Sequence, residues 1–338
     1  LTQAFSQPVA KSMPPAVASP DDLAIVNSWD LTSDKVGRNL APMVFTVVSS
    51  SLGVEAAVGL SFVGYLAIVG LKQCLCVADQ PVRRRADGAE GLSVPRRLLA
   101  VFKQVWEGLK SLRHDRTIGL LIVNTLATNM MVYPMGSVVF PVIFKEIPEH
   151  AIEEENSVMS GMILGLQNLV GIHKKKAWMN YAALVSLGGV VGPFLSNVVV
   201  YRIKSLSASR PEAVNWIGLN IGIAGQVATM LPLLVVLELA HWLNAGSRIL
   251  AMFLVWSAMT AMNNVTTIYF NAHSQQRLDR SERGRFIANI LTLFTMANSV
   301  GSLAYGWALS SGSPESQISA ATRIFLLAIA VRIFLLAI

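Results

Sequence analysis

Residues 79–116 read DQPVRRRADGAEGLSVPRRLLAVFKQVWEGLKSLRHDR and form the longest hydrophilic stretch of the chain. The stretch holds nine Lys or Arg residues against five Asp or Glu residues, and its second half repeats apolar residues at helical spacing. Apolar runs of membrane-spanning length lie on both sides of it, at 57–78 and 117–144. A basic amphipathic segment between two such runs is typical of a cytoplasmic loop on an anionic membrane surface.

Composition supports the same class of protein for the whole chain. Of the 338 residues, 53% are hydrophobic and 14% are charged, whereas a soluble domain carries roughly 25% charged residues. We therefore predict an all-α polytopic membrane protein, a bundle of about eight spans. The predicted spans are 21–52, 57–78, 117–144, 177–201, 216–237, 249–270, 286–309 and 322–338.

The basic residues sort onto one side of this arrangement. The loops 79–116, 202–214 and 271–285 together hold sixteen Lys and Arg residues, and the loops on the opposite side hold five. That bias predicts a cytoplasmic position for the first set. It requires that the apolar stretch 157–172, part of an insertion at 146–176, does not cross the membrane and is either an interfacial helix or lies outside the membrane. The Lys174–Lys176 run goes against the bias. No basic face interleaved with aromatic residues occurs, so nucleic-acid binding is not expected.

The last predicted span contains a repeat. The heptapeptide RIFLLAI occurs at 323–329 and again at 332–338, which places Arg332 in the middle of a span. A sequence artefact and a genuine span are both compatible with this repeat. It therefore carries no functional prediction for Arg332.

Polar residues inside the apolar runs are the first candidates for a site. Asp30, Asp34 and Arg38 follow one another at four-residue spacing, which places neighbouring pairs on one helical face. Ionisable residues at membrane depth usually face a bundle interior or an aqueous cavity, although this half-helix also suits a position in the cytoplasm. Asn124 and Thr128 form a similar pair, which serves either as a contact between helices or as cavity lining.

Three stretches resemble the Major Facilitator Superfamily, in particular its multidrug and siderophore exporter branch. They are QPVAKSMP at 7–14 followed by DDLAIVNS at 21–28, VWEGLKSLR at 105–113, and SERGR at 281–285. The resemblance implies two six-helix halves and a chain that begins near the end of helix four. Residues 1–78 would then complete the first half, 79–116 would be the central loop, and 117–338 would form helices seven to twelve. Residues 1–338 alone are expected not to transport, because roughly a third of a twelve-helix pore would be absent.

The resemblance further implies a secondary active transporter that works by alternating access and exports a small molecule. The substrate cavity is predicted to be lined by Asp30, Asp34, Arg38, Asn124, Thr128, Asn129, Asn263, Asn264, Asn289 and Thr292. Asp34 would either carry a coupling proton or form a permanently ionised pair with Arg38. Arg283 and Arg285 would close the cytoplasmic side, or would only reflect the charge bias of that side.

Two other function classes are weighed against transport. A transporter-fold protein that acts as a sensor or an assembly partner is compatible with the sequence. A membrane-embedded transferase is less so, because the five His residues lie in or beside loops without metal-ligand spacing. We therefore expect no enzymatic activity, no metal site and no cofactor, and a monomer in the lipid bilayer whose partner is its substrate. The localisation is integral and multi-pass, in a plasma, inner or organelle membrane.

Overall fold

A computed structural model describes residues 18–19, 21–74, 116–140, 177–207, 213–238, 244–278, 280–310 and 314–337. In parts of these helices, including residues 38–47, 177–186 and 280–285, the description covers the backbone alone. The predicted basic loop and the predicted insertion lie almost wholly outside the described residues.

The described chain is helical, and no strand occurs within these ranges. Each predicted span falls on a helix. The helices are α1 Leu23–Leu52, α2 Val54–Cys74, α3 Arg116–Met131, α4 Ala177–Leu206, α5 Val214–Glu238, α6 Ala245–Arg277, α7 Arg280–Ser310 and α8 Pro314–Ala337. A π-helical turn, Met135–Val139, follows α3.

Two predicted loops are shorter than expected. The predicted loop 271–285 is mostly helix, because α6 continues to Arg277 and α7 begins at Arg280. The predicted loop 202–214 is likewise shortened by α4, which runs to Leu206. Hydropathy marks only the part of a helix that lies in hydrocarbon, whereas backbone hydrogen bonding continues into the polar end turns. Arg283 and Arg285 therefore lie on a helix, and their side chains are outside the described part.

The chain divides into two compact units. One consists of Leu1–Leu40 with Asp115–Ile338, and the other of Ala41–His114. In the smaller unit, Gly53 separates α1 from α2 and has a φ of +91°, a backbone conformation that favours glycine. The side chains of Phe62 and Val63 on α2 are both 62% exposed.

In the larger unit, α6 packs along both α4 and α5. Glycines on those two helices allow the close approach. A Cβ atom on Gly192 of α4 would lie 2.9 Å from the carbonyl oxygen of Ser257, and one on Gly222 of α5 would lie 2.8 Å from the amide nitrogen of Thr266. Small residues at helix contacts are the usual device by which membrane helices pack closely.

The helical backbone that continues beyond α3 is interrupted at Pro134. Proline has no N–H, so the carbonyl of Met130 loses its helical donor. The amide of Met135 bonds the carbonyl of Val132 at 3.1 Å, which also frees the carbonyl of Met131. Helix α7 covers both groups, because Gly301 packs directly on the Met130 carbonyl and the Tyr305 hydroxyl donates a 2.7 Å hydrogen bond to the Met131 oxygen.

Large apolar side chains remain on the outside of the bundle. On α7, Met296, Val300, Leu303 and Trp307 form a stripe in which Trp307 is 82% exposed, a distribution that suits contact with lipid. Within the described residues, two helical segments are long and apolar enough to cross a membrane, Val214–Val236 and Gly246–Arg277. Shorter apolar segments are Glu55–Gly64 and Ile118–Met131. The count of eight spans remains a prediction.

Candidate functional site

A continuous set of polar side chains crosses the interior of the larger unit. It joins Lys35 on α1, Tyr133 at the break after α3, Asn263 on α6, Gln226 on α5 and Arg332 on α8 by successive hydrogen bonds. We call this set the interior polar network. Buried polar groups in apolar helices persist where they bond one another, and here five elements meet through side chains alone.

Tyr133 organises one end of the network. Its hydroxyl accepts a 2.8 Å hydrogen bond from Nδ2 of Asn263 and a 3.1 Å hydrogen bond from Nζ of Lys35. The Lys35 ammonium also lies 4.7 Å from the centre of the Tyr133 ring, within the range of a cation–π contact. Because Pro134 ends the regular helix at this point, Tyr133 belongs to an irregular turn. Irregular turns and π-turns are common at functional sites.

Arg332 organises the other end. Its side chain is 1% exposed. Its Nε donates to Oε1 of Gln226 at 2.8 Å, and its Nη2 donates to Oγ1 of Thr128 at 2.6 Å. Gln226 continues the network through Nε2, which donates to Oγ1 of Thr266 at 2.7 Å and approaches Oδ1 of Asn263 at 3.5 Å.

The first turns of α1 carry a second set of contacts. Asn27 bonds Gln275 on α6, and Oγ1 of Thr32 lies 3.2 Å from Oδ1 of Asn197 on α4. All four side chains are buried. We call these residues the α1 contact stripe. They tie the start of α1 to α4 and α6, and Lys35 lies one turn further along α1 at the network.

Immediately before α1, Asp22 forms an ion pair with Lys204 of α4 at 2.7 Å. The hydrogen bond from Lys204, with a second one from Ser19, lowers the pKa of Asp22 below its ordinary value of 3.8. The pair is exposed, at 38% for the Lys204 side chain and 54% for that of Asp22. The pair therefore contributes little to stability, and its main effect is to orient the segment before α1 against α4.

The structure places the predicted cavity residues in different environments. Asn124, Thr128, Asn263 and Asn264 are buried, at 1%, 2%, 8% and 1% exposure. Thr128 and Asn263 belong to the interior polar network. Asp30, Asp34, Asn129 and Asn289 are half-buried, and Thr292 is exposed. The Arg38 side chain lies outside the described part, so the predicted Asp34–Arg38 pair remains a prediction.

The structure does not gather all of these side chains. Asn129 donates a 2.8 Å hydrogen bond to the carbonyl of Thr125 in its own helix. Within the ranges that the structure describes, neither Oδ1 nor Nδ2 of Asn124 has a hydrogen-bond partner, and the same holds for Asn264. No group of three His, Cys, Asp or Glu side chains suited to a metal ion occurs among the residues that the structure describes.

Several residues of the network are not among those predicted from the sequence. Lys35 and Tyr133 both lie near predicted candidates. Tyr133 carries the signal of a polar residue within an apolar run, whereas Lys35 lies in the polar first half of its helix. Gln226 is also a polar residue within an apolar run, because it and Asn220 are the two amide side chains of the predicted span 216–237. Arg332 also lies within an apolar run, but the repeat that contains it obscures the signal.

Comparison with known proteins finds a similar fold among solved structures. No protein-family description matches the chain, and no curated protein matches its sequence. Among solved structures, it is similar to a bacterial homologue of the iron transporter ferroportin in the outward-facing state, at 14% identity and a TM-score of 0.51 over 96% of this chain. The chain therefore shares the fold of that structure. The chain spans 66% of the length of that neighbour, and at this identity the likeness concerns the fold alone.

Proposed function

We propose that the protein is a secondary active transporter that exports a small molecule by alternating access. The observation that carries the proposal is the hydrogen bond from Lys35 to the Tyr133 hydroxyl, which also accepts a hydrogen bond from Asn263. It places a cation from the polar first half of one helix against a broken turn within an apolar run of another. Charged side chains at such positions mark substrate and ion pathways, and interrupted helices line the binding sites of many transporters.

The α1 contact stripe is the set of contacts that would have to break and re-form during transport. If residues 1–78 and 117–338 are the two halves, the hydrogen bond of Asn27 with Gln275 and the contact of Thr32 with Asn197 join the halves at one end. Alternating access then requires this end to separate in each cycle. The bonds are few and made by neutral side chains, so their exchange for water is inexpensive compared with the loss of a buried ion pair.

The movement can be measured without knowledge of the substrate. In the full-length protein with Cys74 and Cys76 replaced by Ser, a single Asn197→Cys substitution places a thiol at a position that is 5% exposed. A membrane-impermeant maleimide is applied to inside-out vesicles. We expect slow labelling, limited by opening, and faster labelling when Gln275→Ala removes the partner of Asn27.

Ser205→Cys is the matched control, because residue 205 lies on the same helix and is exposed. Its labelling should be fast, and Gln275→Ala should not change it. Two results would contradict alternating access at this end. One is an Asn197→Cys thiol that stays unreactive, and the other is a labelling rate that Gln275→Ala does not change.

Flux separates transport from the sensor alternative. A panel of small solutes, with Fe²⁺ included because the structural neighbour is a homologue of an iron transporter, is first tested for thermal stabilisation of the purified protein. Solutes that stabilise it are then tested for uptake into proteoliposomes. Saturable binding without flux would support a sensor or assembly partner, and flux above protein-free vesicles supports the transporter.

Coupling is tested at Asp34, for which a proton-carrying role and a fixed pair with Arg38 are both compatible with the proposal. In proteoliposomes with an imposed pH gradient, Asp34→Asn should abolish gradient-driven flux and leave exchange intact if Asp34 carries the proton. If Asp34 is only a fixed partner, both activities should fall together.

A further inference from the structure

Arg332 is a buried cation whose hydrogen-bond partners in the described part of the chain are all neutral. Its three hydrogen bonds go to Oε1 of Gln226, Oγ1 of Thr128 and the carbonyl oxygen of Ala328, the last at 3.2 Å. A guanidinium has five N–H donors, so two remain, one on each terminal nitrogen. Within the described ranges, no carboxylate bonds this group.

An arginine in this position needs an explanation. Burial of a charge without an opposite charge is strongly unfavourable, and neutral hydrogen bonds compensate only part of the loss. Ionisable side chains inside membrane helices are accordingly rare and usually functional. The missing negative charge can be supplied by a bound anion.

A second observation points to the same place. Asn124 lies one helical turn before Thr128 on α3, so the two share a face. It is 1% exposed, and neither its Nδ2 nor its Oδ1 has a hydrogen-bond partner among the described residues. Thr128 already donates its hydroxyl proton to the main-chain oxygen of Asn124 at 2.9 Å, so it cannot also donate to the side chain of Asn124. An amide buried without bonds is costly, and a ligand beside Thr128 would relieve that cost.

We propose that Arg332 and Asn124 bind an oxyanion, the carboxylate or phosphate group of a small solute. The free N–H groups of Arg332 would make charge-assisted hydrogen bonds to the anion, and Nδ2 of Asn124 would add a third donor. Thr128 and Gln226 are positioning residues that hold the guanidinium. The substrate part of this inference rests on the proposed transport function, since the anion can be either the transported solute or a resident inorganic ion.

The repeat provides a matched control within the same helix. Arg323 begins the first copy of RIFLLAI and Arg332 begins the second, nine residues later. Nine residues at 3.6 per turn correspond to two and a half turns, so the two arginines lie on opposite faces of α8. Arg323 is exposed. The two positions therefore share residue type and local sequence and differ in surroundings.

The first experiment measures thermal unfolding of the purified full-length protein in a chloride-free sodium HEPES buffer. The probes are sodium phosphate, sodium acetate and sodium succinate, with sodium chloride at matched ionic strength. We expect a concentration-dependent rise in Tm with at least one oxyanion and a smaller rise with chloride. Arg332→Gln should abolish the difference, and Arg323→Gln should retain it. Equal effects of chloride and every oxyanion, or equal behaviour of the two variants, would overturn the proposal.

Two further variants keep the test decisive if Arg332→Gln does not fold. Arg332→Lys keeps the charge but loses the planar fork, and we expect the concentration for half the Tm shift to rise by about 10-fold. Asn124→Leu removes an amide that has no partner, so it should raise Tm without anion and lower the anion-dependent shift. A loss of Tm without anion, together with an unchanged shift, would identify Asn124 as structural and contradict its role as a ligand.

The second experiment distinguishes the source of the anion. Radiolabelled phosphate and succinate are tested for binding and for uptake into proteoliposomes that contain the wild-type protein or Arg332→Lys. Uptake that depends on Arg332 identifies the oxyanion as the substrate group. Binding without uptake, in a protein whose Asn197→Cys thiol still shows opening, identifies a resident ion. Opening without any oxyanion binding refutes this site and leaves the proposed function standing.

Discussion

The side-chain amides of Asn27 on α1 and Gln275 on α6 face each other as a buried pair. Nδ2 of Asn27 donates to Oε1 of Gln275 at 2.9 Å, and Nε2 of Gln275 lies 3.5 Å from Oδ1 of Asn27. The two residues are 248 positions apart in the chain. Each amide supplies what the other lacks, so the pair joins the start of α1 to the end of α6 and excludes water.

Removal of either amide should therefore be costly. Asn27→Ala and Gln275→Ala should each lower the free energy of unfolding by about 1–3 kcal/mol, because the remaining amide stays buried. The double variant should cost less than the sum of the two. A double-mutant cycle by thermal unfolding in detergent measures this. Ser33→Ala, an exposed position on α1, is the control, and additive effects would show that the pair is not coupled.

Gly301 is predicted to tolerate no side chain. A Cβ atom at this position would overlap the carbonyl oxygen of Met130, so Gly301→Ala should destabilise by about 1–3 kcal/mol despite the better helix propensity of alanine. On the same helix, a Cβ atom at Gly306 would meet nothing within 4 Å. Gly306→Ala should be neutral or stabilising by up to about 1 kcal/mol. Similar unfolding temperatures for the two variants would contradict the close approach of α7 and α3.

The hydroxyl of Tyr305 should matter more than that of Tyr269. Tyr305 bonds the Met131 carbonyl at 2.7 Å, and Tyr269 reaches the Val200 carbonyl at 3.4 Å. Both side chains are buried. Tyr305→Phe should lower stability by about 1–2 kcal/mol, because it leaves a carbonyl freed by Pro134 without a donor, and Tyr269→Phe should lower it less. Thermal unfolding of the two variants tests the order, and the reverse order would refute it.

The ion pair of Asp22 and Lys204 should be insensitive to pH in the physiological range. A carboxylate whose pKa is lowered in the folded protein stabilises it above its unfolded pKa, and this contribution is lost as the pH falls through the folded pKa. For Asp22 both values lie at or below 3.8. The Tm difference between the wild type and Asp22→Asn should thus stay constant between about pH 5 and 8.

Salt gives the complementary test of the same pair. Because both side chains are exposed, added salt should screen the attraction and reduce the Tm difference. Lys204→Gln should reduce it as well and return the pKa of Asp22 towards its ordinary value. A difference that changes between about pH 6 and 8 would assign the effect to another titrating group.

The positions of the helices could be predicted because long apolar runs mark them in the sequence. The buried face of each helix could not. Lipid and a helical interior are both apolar, so a membrane helix shows little amphipathic periodicity. Asn124 and Thr128 are polar residues in an apolar run and are buried, whereas Thr292 meets the same criterion and is exposed.

Arg332 shows where local sequence stops being informative. Arg323 and Arg332 begin identical heptapeptides, so no property of the heptapeptide distinguishes the exposed arginine from the buried one. The difference comes from the neighbours Gln226 and Thr128, which are 106 and 204 residues away in the chain. The irregular turn after α3 was foreseeable in part, since Pro134 predicts a break, but the role of α7 in covering that break depends on tertiary packing.

The break at Pro134 also has a mechanical consequence. Of the two carbonyl groups that α3 cannot satisfy by itself, that of Met131 accepts a hydrogen bond from Tyr305 of α7, and that of Met130 packs against Gly301 of the same helix. If α3 bends at this point, α7 must follow or expose those groups to hydrocarbon, where nothing replaces the lost bond. A displacement of the Tyr133 ring would thus be transmitted from α3 to α7, and the two helices would tilt together as a rigid body.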